Sequence, residues 1–316
     1  MRGSGLFAPM KNIGGQAVIE GVMMKSERSW SVAVRGPGGE IKVKNEPLKP
    51  LPKFLKLPFL RGVIALFHAL VIGIRALEFS ASASADEEEE QLSKASIGIT
   101  IGVSVLLSIA LFIMLPLWAT KLIGMVFSVV DSSSVLFNVV DGLVRVVVFL
   151  LYVILIGLWS EIRRVFEYHG AEHKVIHAFE DGQALVQGQI GRQSPIHPRC
   201  GTSFLMIVMV VSIFVFSLIP QPWPIWAKFV SRVVLIPLIA GSSYEVLKLT
   251  AKYKHNIFMR FLMWPGMSLQ QLTTREPDEA QIEVALRALK EVLLMDNNAE
   301  ASGNKRSLDE QDGVKA

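Results

Sequence analysis

Long apolar stretches in the second half of the chain, each bounded by polar residues, predict membrane-spanning helices. About 20 consecutive apolar residues are enough to cross the hydrocarbon core of a bilayer. Four such stretches predict a membrane domain over residues 95–250, at 96–119, 135–159, 203–219 and 229–248. Asp141 and Arg145 lie one helical turn apart in the second stretch, and an ion pair is the least costly way to hold both charges near lipid.

A further apolar stretch, residues 59–79, differs from these four because it carries charged residues at regular intervals. Arg61, His68 and Arg75 recur every seven residues and therefore share one face of a helix. A helix that spanned the bilayer would have to bury that face. We therefore predict an interfacial or re-entrant helix with its charged face toward the cytosolic domain. An amphipathic packing helix is the alternative.

The N-terminal segment, residues 1–58, predicts a small cytosolic region with β-structure. Apolar and polar residues alternate on both sides of a Gly-Pro-Gly-Gly turn within 29–44, which predicts a β-hairpin. Residues 13–24 are rich in glycine and predict a tight strand and turn packed on the protein. The alternative is that Glu20, the one charged residue of that stretch, reaches a functional site as a ligand or a base.

The remaining segments complete the predicted organisation. Residues 80–94 predict an acidic linker, and 251–296 predict a C-terminal cytosolic segment with an amphipathic helix. The polar residues 297–316 predict a disordered tail. The expected fold class is mainly α: a polytopic membrane protein with about four transmembrane helices, an interfacial helix and a small cytosolic α+β portion containing a β-hairpin.

Composition and charge agree with this class and predict an orientation. Hydrophobic residues make up 51% of the 316 residues, and the mean hydropathy is +0.42, which is too apolar for an ordinary soluble domain. Basic residues concentrate in the connector 160–202 and after the fourth stretch. The positive-inside rule therefore places both termini and the connector on the cytoplasmic side of the plasma membrane. The net charge of +4 fits contact with an anionic lipid bilayer better than binding of nucleic acid.

The candidate chemistry lies in the connector 160–202, which holds four of the six histidines and the only cysteine. On a helix, His169 and His173 lie one turn apart on one face and can share a metal ion. His197 and Cys200 could complete the set of metal ligands with an imidazole and a thiolate, and this donor set favours zinc. Glu172 lies beside them, where a carboxylate could orient a histidine or activate a water molecule.

Two features of this prediction are left open by the residues themselves. The histidines could instead form a solvated helix face with Cys200 as an unreactive thiol. If a metal is bound, four protein ligands would make a structural site and an open position would make a catalytic one. The helix that carries His169 is expected to continue without a break from the second apolar stretch and to end near Asp181 and Gly182.

Several long motifs resemble the signatures of one bacterial family. They are GGQAVIEGVMM at 14–24, YHGAEHK at 168–174, HPRCGTS at 197–203 and LQQLTTREP at 269–277. On these motifs the chain is similar to the YqhQ-like membrane proteins. The resemblance implies a domain of unknown function that is described as a predicted metal-dependent enzyme. His169 to His173 also match the His-x-x-Glu-His spacing of inverted zincins, but the downstream glutamate that those enzymes use as third ligand has no obvious match.

The expected function is a metal-dependent integral membrane enzyme of hydrolytic type that acts on a lipid or a membrane-protein segment at the cytosolic face. Glu172 is the expected catalytic base, or else orients a metal ligand, and Glu20 is a second catalytic candidate. The main alternative is a non-enzymatic membrane scaffold, or a biogenesis factor for membrane proteins, with a structural metal site. A transporter that uses Asp141 and Arg145 is a third alternative.

Overall fold

The computed structural model describes residues 12–49, 52, 57–85, 94–198, 200–220, 223–253 and 256–313. The protein is mainly helical, with one four-stranded antiparallel sheet. The strands are β1 (Gly14–Val18), β2 (Gly21–Lys25), β3 (Ser29–Arg35) and β4 (Ile41–Pro47). The helices are α1 (Leu60–Ser84), α2 (Lys94–Ile109), α3 (Leu115–Val126), α4 (Ser128–Ser132), α5 (Ser134–Ile156), α6 (Ser160–Glu180), α7 (Gln187–Ile190), α8 (Gly201–Ser217), α9 (Ile225–Val234), α10 (Ile236–Lys252), α11 (Ile257–Thr273) and α12 (Glu279–Gly313).

The sheet is a meander in the order β1-β2-β3-β4. The hairpin predicted over 29–44 is confirmed as the pair β3 and β4, in which Ser29 pairs with Pro47 and Arg35 pairs with Ile41. The glycine-rich stretch 13–24 forms a second hairpin from β1 and β2, with Val18 paired to Gly21. Most of the predicted acidic linker and the first 11 residues lie outside the described residues.

Helices cover both faces of the sheet. On one face α6 and α12 enclose the largest core, to which the sheet contributes Val22, Met24 and Ala33. On the other face α1 packs against the sheet through Ile72, Ala76 and Ala83. Because successive side chains of a strand point to opposite faces, β2 and β3 supply apolar residues to both cores. This explains why these two strands are almost completely buried.

Helix α1 contacts both the sheet and the apolar helices. Its N-terminal end packs on α10 and forms an ion pair between Arg61 and Glu245. Further along, Arg75 Nη1 lies 3.4 Å from Glu46 Oε2 on β4. The two arginines of the predicted charged face therefore pair with acidic residues on α10 and β4. The C-terminal half of α1 belongs to the sheet layer.

Three helices are long and apolar enough to cross a membrane, by length and composition: Leu60–Ser84, Gly98–Val126 and Ser134–Ile156. A fourth is obtained if Ile225–Val234 and Ile236–Thr250, bent by 48° at their junction, form one span. Two details differ from the sequence prediction. Helix α1 qualifies although an interfacial helix was predicted, and α8 has only 17 residues although a full span was predicted. Against the prediction of about four transmembrane helices, the described residues thus form three to four helices able to span a membrane, together with the small sheet.

The expected continuous helix from the second apolar stretch into the histidine-rich connector is wrong. Helix α5 ends at Ile156, and α6 begins at Ser160 after an extended residue, Trp159, with φ −75° and ψ 136°. The signals for this break are local. Gly157 caps the C-terminus of α5, and Ser160 and Glu161 are residues favoured at the start of a helix. The end of α6 at Glu180, beside Asp181 and Gly182, agrees with the prediction.

Helix α12 is longer than the amphipathic helix predicted within 251–296. It continues to Gly313, through most of the stretch 297–316 that the polar composition predicted to be disordered. Alanine, glutamate, lysine and arginine in that stretch favour a helix once the preceding turns are docked. Residues 314–316 lie outside the described residues.

The connector between α11 and α12 crosses α6 at Gly170. A Cβ atom at this position would lie 2.0 Å from the carbonyl oxygen of Arg275, which is backbone and cannot swing away. The Arg275 amide in turn donates to the carbonyl of Phe166 at 2.9 Å. Beside this crossing, buried Lys174 donates to the Gly191 carbonyl at 2.7 Å and forms an ion pair with Glu276. Gly170 thus sets the distance between α6 and the C-terminal segment.

We expect Gly170→Ala to destabilise the protein by about 1–3 kcal/mol, the usual cost of forcing extra atoms into a packed contact. The measurement is thermal or denaturant unfolding of the purified full chain in detergent. Gly188→Ala is the matched control because nothing lies within 4 Å of a Cβ atom there. Equal stability of the two variants would contradict the role of Gly170 at the crossing.

Candidate metal centre

Three histidines at four-residue intervals, His169, His173 and His177, form what we call the histidine stripe of α6. Residues spaced by four lie on one face of a helix, so the stripe runs along the helix axis. Residues 195–198 and Cys200, which precede α8, lie along this face. Pro195, Ile196 and Cys200 each contact one histidine of the stripe.

His169, His173 and Cys200, the ligand trio, offer ligand atoms that all lie within 4.8 Å of one another. The His169 Nε2 atom lies 3.2 Å from Cys200 Sγ. The rings of His169 and His173 meet edge to face, with centroids 4.3 Å apart. His173 and Cys200 are buried, and His169 is partly exposed. Three of the four predicted ligands are therefore brought together.

Backbone carbonyls fix the orientation of the two imidazoles. His169 Nδ1 lies 2.8 Å from the carbonyl oxygen of Thr273, and His173 Nδ1 lies 2.6 Å from that of Pro195. A carbonyl oxygen only accepts, so Nδ1 is the protonated nitrogen in both rings. Their Nε2 atoms are then left with free lone pairs. The Nε2 atom of His173 is buried without a hydrogen-bond partner in the part of the chain that the structure describes.

Gln270, on α11, holds the backbone of His197 in place. Its amide group makes two bonds to the backbone of His197: Oε1 accepts from the amide at 2.8 Å, and Nε2 donates to the carbonyl at 2.9 Å. Nε2 also lies 3.2 Å from the Ser203 hydroxyl oxygen. Sequence reasoning did not identify Gln270 or the Thr273 and Pro195 carbonyls. A polar pair, Gln270 and Gln271, at the end of an apolar helix was the available signal for the first.

The structure does not place His197 among the ligand trio. Its Nε2 atom lies 3.4 Å from Glu180 Oε2, and its ring stacks near His177, with centroids 4.5 Å apart. The ring centroid of His173 is farther away, at 5.7 Å. The physical reason is that the two bonds from Gln270 fix the backbone of His197, so its side chain extends toward the C-terminal end of α6. Cys200, three residues later, reaches His169 instead.

Glu172 lies beside the ligand trio on the neighbouring face of α6, against β1. A Cβ atom on Gly15 would come within 2.8 Å of the Glu172 side chain, so only glycine allows this approach. Burial raises the pKa of this carboxyl group to about 8, although His169 nearby and a backbone hydrogen bond from Ala17 act to lower it. The Oε2 atom has no hydrogen-bond partner among the residues described. Glu172 therefore holds a proton at neutral pH in the metal-free protein.

Burial also controls the other ionisable groups. It lowers the pKa of His173 to about 2, with a smaller electrostatic contribution from the neighbouring His169. It raises the pKa of the Cys200 thiol, although that residue caps α8 and accepts from the Thr202 amide at 3.4 Å. The start of a helix favours a thiolate, but desolvation is the larger effect here. A cation bound between these groups would favour the thiolate and the carboxylate.

Glu20, the second catalytic candidate, makes its contacts elsewhere. It lies in the turn between β1 and β2 with a positive φ of 50°. Its carboxylate accepts two hydrogen bonds of 2.5 Å from Arg164 and lies 3.3 Å from the Tyr168 hydroxyl. The side-chain bond to Arg164 lowers its pKa. Glu20 thus fixes the β1–β2 turn to the first half of α6, in line with the predicted strand and turn packed on the protein. It is not one of the groups around the ligand trio.

The donors of the trio fit a zinc ion. Two imidazole nitrogens and one thiolate are common zinc ligands, at about 2.0–2.3 Å from the metal, which separates tetrahedral ligands by about 3.3–3.8 Å. The 3.2 Å between His169 and Cys200 is close to that separation, and the 4.8 Å limit of the trio requires only a small contraction. Carbonyl acceptors on the far nitrogen of each histidine are the usual second layer of a zinc site.

Comparison with known proteins gives a family but no function. Residues 57–295 match the family model described as "Protein of unknown function (DUF1385)". The chain is also similar to "Uncharacterized protein YqhQ" of Bacillus subtilis (strain 168), with 36% identity over 302 residues that cover 90% of this chain and 92% of the relative. No solved structure matches the chain.

We expect about one zinc ion per chain in the purified wild-type protein, and loss of most of it in His169→Ala, His173→Ala and Cys200→Ala. Metal analysis of protein exchanged into zinc-free buffer is the measurement. His177→Ala and His197→Ala are the matched controls, since their side chains bond to Ile196 and Glu180 rather than to the trio. The assigned ligand set would be contradicted if Cys200→Ala kept its full zinc content. It would also be contradicted if only the two control variants lost zinc.

We further expect Glu172→Gln to stabilise the metal-free protein more as the pH rises. The pKa of the wild-type side chain is near its ordinary value of 4.5 in the unfolded chain and about 8 in the folded protein, so folding keeps a proton that the unfolded chain releases. Wild-type stability therefore falls as pH rises between these values, by about 1.4 kcal/mol per unit. Glutamine carries no such cost.

Unfolding of EDTA-treated protein at pH 5.5 and 7.5 measures this effect. The advantage of Glu172→Gln over wild type should grow by on the order of 2–3 kcal/mol between the two values. The exposed Glu161→Gln at the start of α6 is the control and should show no comparable change. A pH-independent difference would mean that Glu172 is not buried as described.

Proposed function

This chain belongs to the DUF1385 family of proteins of unknown function, and we propose that it is a metal-dependent integral membrane enzyme of hydrolytic type. In this proposal the ligand trio holds a zinc ion at the cytosolic face of the plasma membrane. Both termini are cytoplasmic, and the substrate is a lipid or a membrane-protein segment. The single observation that carries the proposal is the ligand trio with the buried carboxyl group of Glu172 beside it.

The number of ligands supports catalysis over a purely structural metal. Structural zinc sites are usually closed by four protein ligands, whereas catalytic sites use three and leave one position open. His197, the predicted fourth ligand, lies against Glu180 instead. Zinc bound to the trio would supply Lewis acidity at the open position. The orientation of His169 and His173 by backbone carbonyls means that their Nε2 atoms are already aligned for a metal.

Glu172 supports an acid–base step. A carboxyl group whose pKa burial raises to about 8 can hold or release a proton near neutral pH, as a general acid or base must. Its Oε2 atom is available because it has no hydrogen-bond partner among the residues that the structure describes. Gly15 keeps this side chain in place by close approach of β1. We therefore assign Glu172 the role of proton carrier.

Membrane placement is supported by the helices long and apolar enough to cross a bilayer. The sheet, α6 and α12 form a separate core of the kind found in water-soluble proteins. The connector 160–202 carries basic residues, as expected of a cytoplasmic segment. The site would then lie next to the lipid headgroups, where a membrane-embedded substrate can reach it.

One observation favours the second candidate, a scaffold with a structural metal. Two members of the trio are buried: His173 is 1% exposed and Cys200 is 7% exposed. A metal there would clamp α6 to the start of α8 and, through the Thr273 carbonyl, to the end of α11. Such a clamp would stabilise a docking surface, and the metal would catalyse no reaction.

A comparison of wild type with Glu172→Gln tests the proposal. Each purified protein is incubated with bacterial membrane lipids and membrane proteins, with zinc or with EDTA, and new products are identified by mass spectrometry. We expect zinc-dependent products from wild type and turnover at least about 100-fold slower in Glu172→Gln, the usual contribution of a general acid or base. The variant should keep its zinc.

The outcomes separate the two candidates. Products that persist unchanged in Glu172→Gln would refute the role of that residue. Absence of any zinc-dependent product, together with zinc that is bound and required for thermal stability, would refute the enzyme and support the scaffold.

A further inference from the structure

A cavity of about 410 Å³ lies among the apolar helices, away from the ligand trio. Helices α5, α8 and α10 form most of its wall, with the π-helical turn Ala110–Met114 at one side. Its lining is almost entirely apolar and includes Phe149, Phe204, Val208 and Ile239. Ligand sites in proteins commonly have volumes of about 300–1,000 Å³. The cavity is therefore large enough for a ligand.

Two arginines break the apolar lining, Arg145 on α5 and Arg232 on α9. Both bind the same carboxylate: Arg145 Nη2 lies 2.8 Å from Asp141 Oδ2, and Arg232 Nη1 lies 2.9 Å from Oδ1. The predicted pair of Asp141 and Arg145 is thereby confirmed, and sequence reasoning missed Arg232. One carboxylate faces two guanidinium groups, so this cluster carries one positive charge in excess.

The remaining contacts of the two guanidinium groups are uncharged. Arg145 Nη1 lies 3.3 Å from the Ser212 hydroxyl, and Arg232 Nη2 lies 3.2 Å from the Asn138 side-chain oxygen. The ring of Phe216 lies 5.1 Å from each guanidinium carbon. These contacts stabilise the groups but contribute no negative charge. Buried charges in proteins are normally balanced by a counter-ion.

Unused hydrogen-bond donors mark where that counter-ion would bind. The Nε atoms of Arg145 and Arg232 are buried, and within the described ranges neither has a hydrogen-bond partner. Arg232 is only 1% exposed, so bulk water does not satisfy it. A buried donor without an acceptor costs free energy, and more so when it belongs to a charged group. The cluster thus has both a surplus charge and free donors at the edge of an apolar cavity.

We propose that this cavity binds an amphiphile with one hydrocarbon chain and an anionic head group, such as a phosphate or carboxylate. The head group contacts Arg145 and Arg232, and the chain fills the apolar cavity. A free inorganic anion fits less well, because it would leave the apolar wall unfilled. An uncharged lipid would leave the surplus charge unbalanced. The inference rests on the membrane placement proposed above but not on the metal centre.

Binding of three probes to the full-length protein in a nonionic detergent tests the proposal. Hexadecyl phosphate carries both the chain and the anionic head, hexadecanol carries the chain alone, and inorganic phosphate carries the anion alone. Native mass spectrometry counts bound molecules and gives relative affinities. We expect one hexadecyl phosphate per chain, bound at least about tenfold more tightly than either of the other probes.

Two variants identify the site. Arg232→Met removes the surplus charge and leaves the Asp141–Arg145 pair intact, so the helices keep a balanced cluster. It should weaken hexadecyl phosphate binding at least about tenfold. Ala240→Leu fills part of the cavity without changing any charge and should weaken binding of the chain. Lys121→Met is the matched control, because Lys121 pairs with Asp131 and does not line the cavity.

Equal binding of hexadecanol and hexadecyl phosphate would overturn the proposal, as would saturation by inorganic phosphate with the same affinity. If Ala240→Leu bound hexadecyl phosphate as tightly as wild type, the cavity would not be the binding site. This result would hold even if Arg232→Met failed to fold. All measurements are repeated after treatment with EDTA. Hexadecyl phosphate binding that persists after EDTA treatment would show that the cavity binds its ligand independently of the zinc required by the proposed enzyme function.

Discussion

Burial of the second half of α6 is the constraint on which the rest of the structure depends. Tyr168 and nearly all residues from Gly170 to Ala178 are buried, although three consecutive residues of this segment, Glu172 to Lys174, are polar or charged. Each buried polar group requires a partner. The end of α11, the segment before α8 and strand β1 are held where they are because they supply those partners.

This requirement links the two parts of the molecule. On one side of α6 the sheet and α12 complete an apolar core. On the other side the Thr273 carbonyl and Cys200 belong to helices that continue into the apolar region. Helix α6 therefore joins the core formed with the sheet and α12 to the apolar helices. The position of the ligand trio at this junction follows from the same contacts.

Local patterns in the sequence were enough to predict the hairpin, the apolar helices and the proximity of His169, His173 and Cys200. These features depend on alternation, on runs of apolar residues and on spacing along one helix. The position of the His197 side chain away from the trio was not predictable, because it depends on Gln270, which is distant in sequence. Arg232 was missed for a similar reason: only the packing of α9 on α5 brings it to Asp141. The break after Ile156 was signalled locally by Gly157 and Ser160.

The contact between the two ends of the chain has a consequence for biosynthesis. Ser26 and Ser29 donate to Asp296 at 2.8 and 2.9 Å, so residues about 270 positions apart complete one buried network. At ribosomal rates of about 5–20 residues per second, the N-terminal strands wait roughly 15–55 s for α12. During that time the apolar helices are being synthesised while α12 is still absent from one face of the sheet. Newly made N-terminal segments are thus exposed to chaperones and proteases until translation ends.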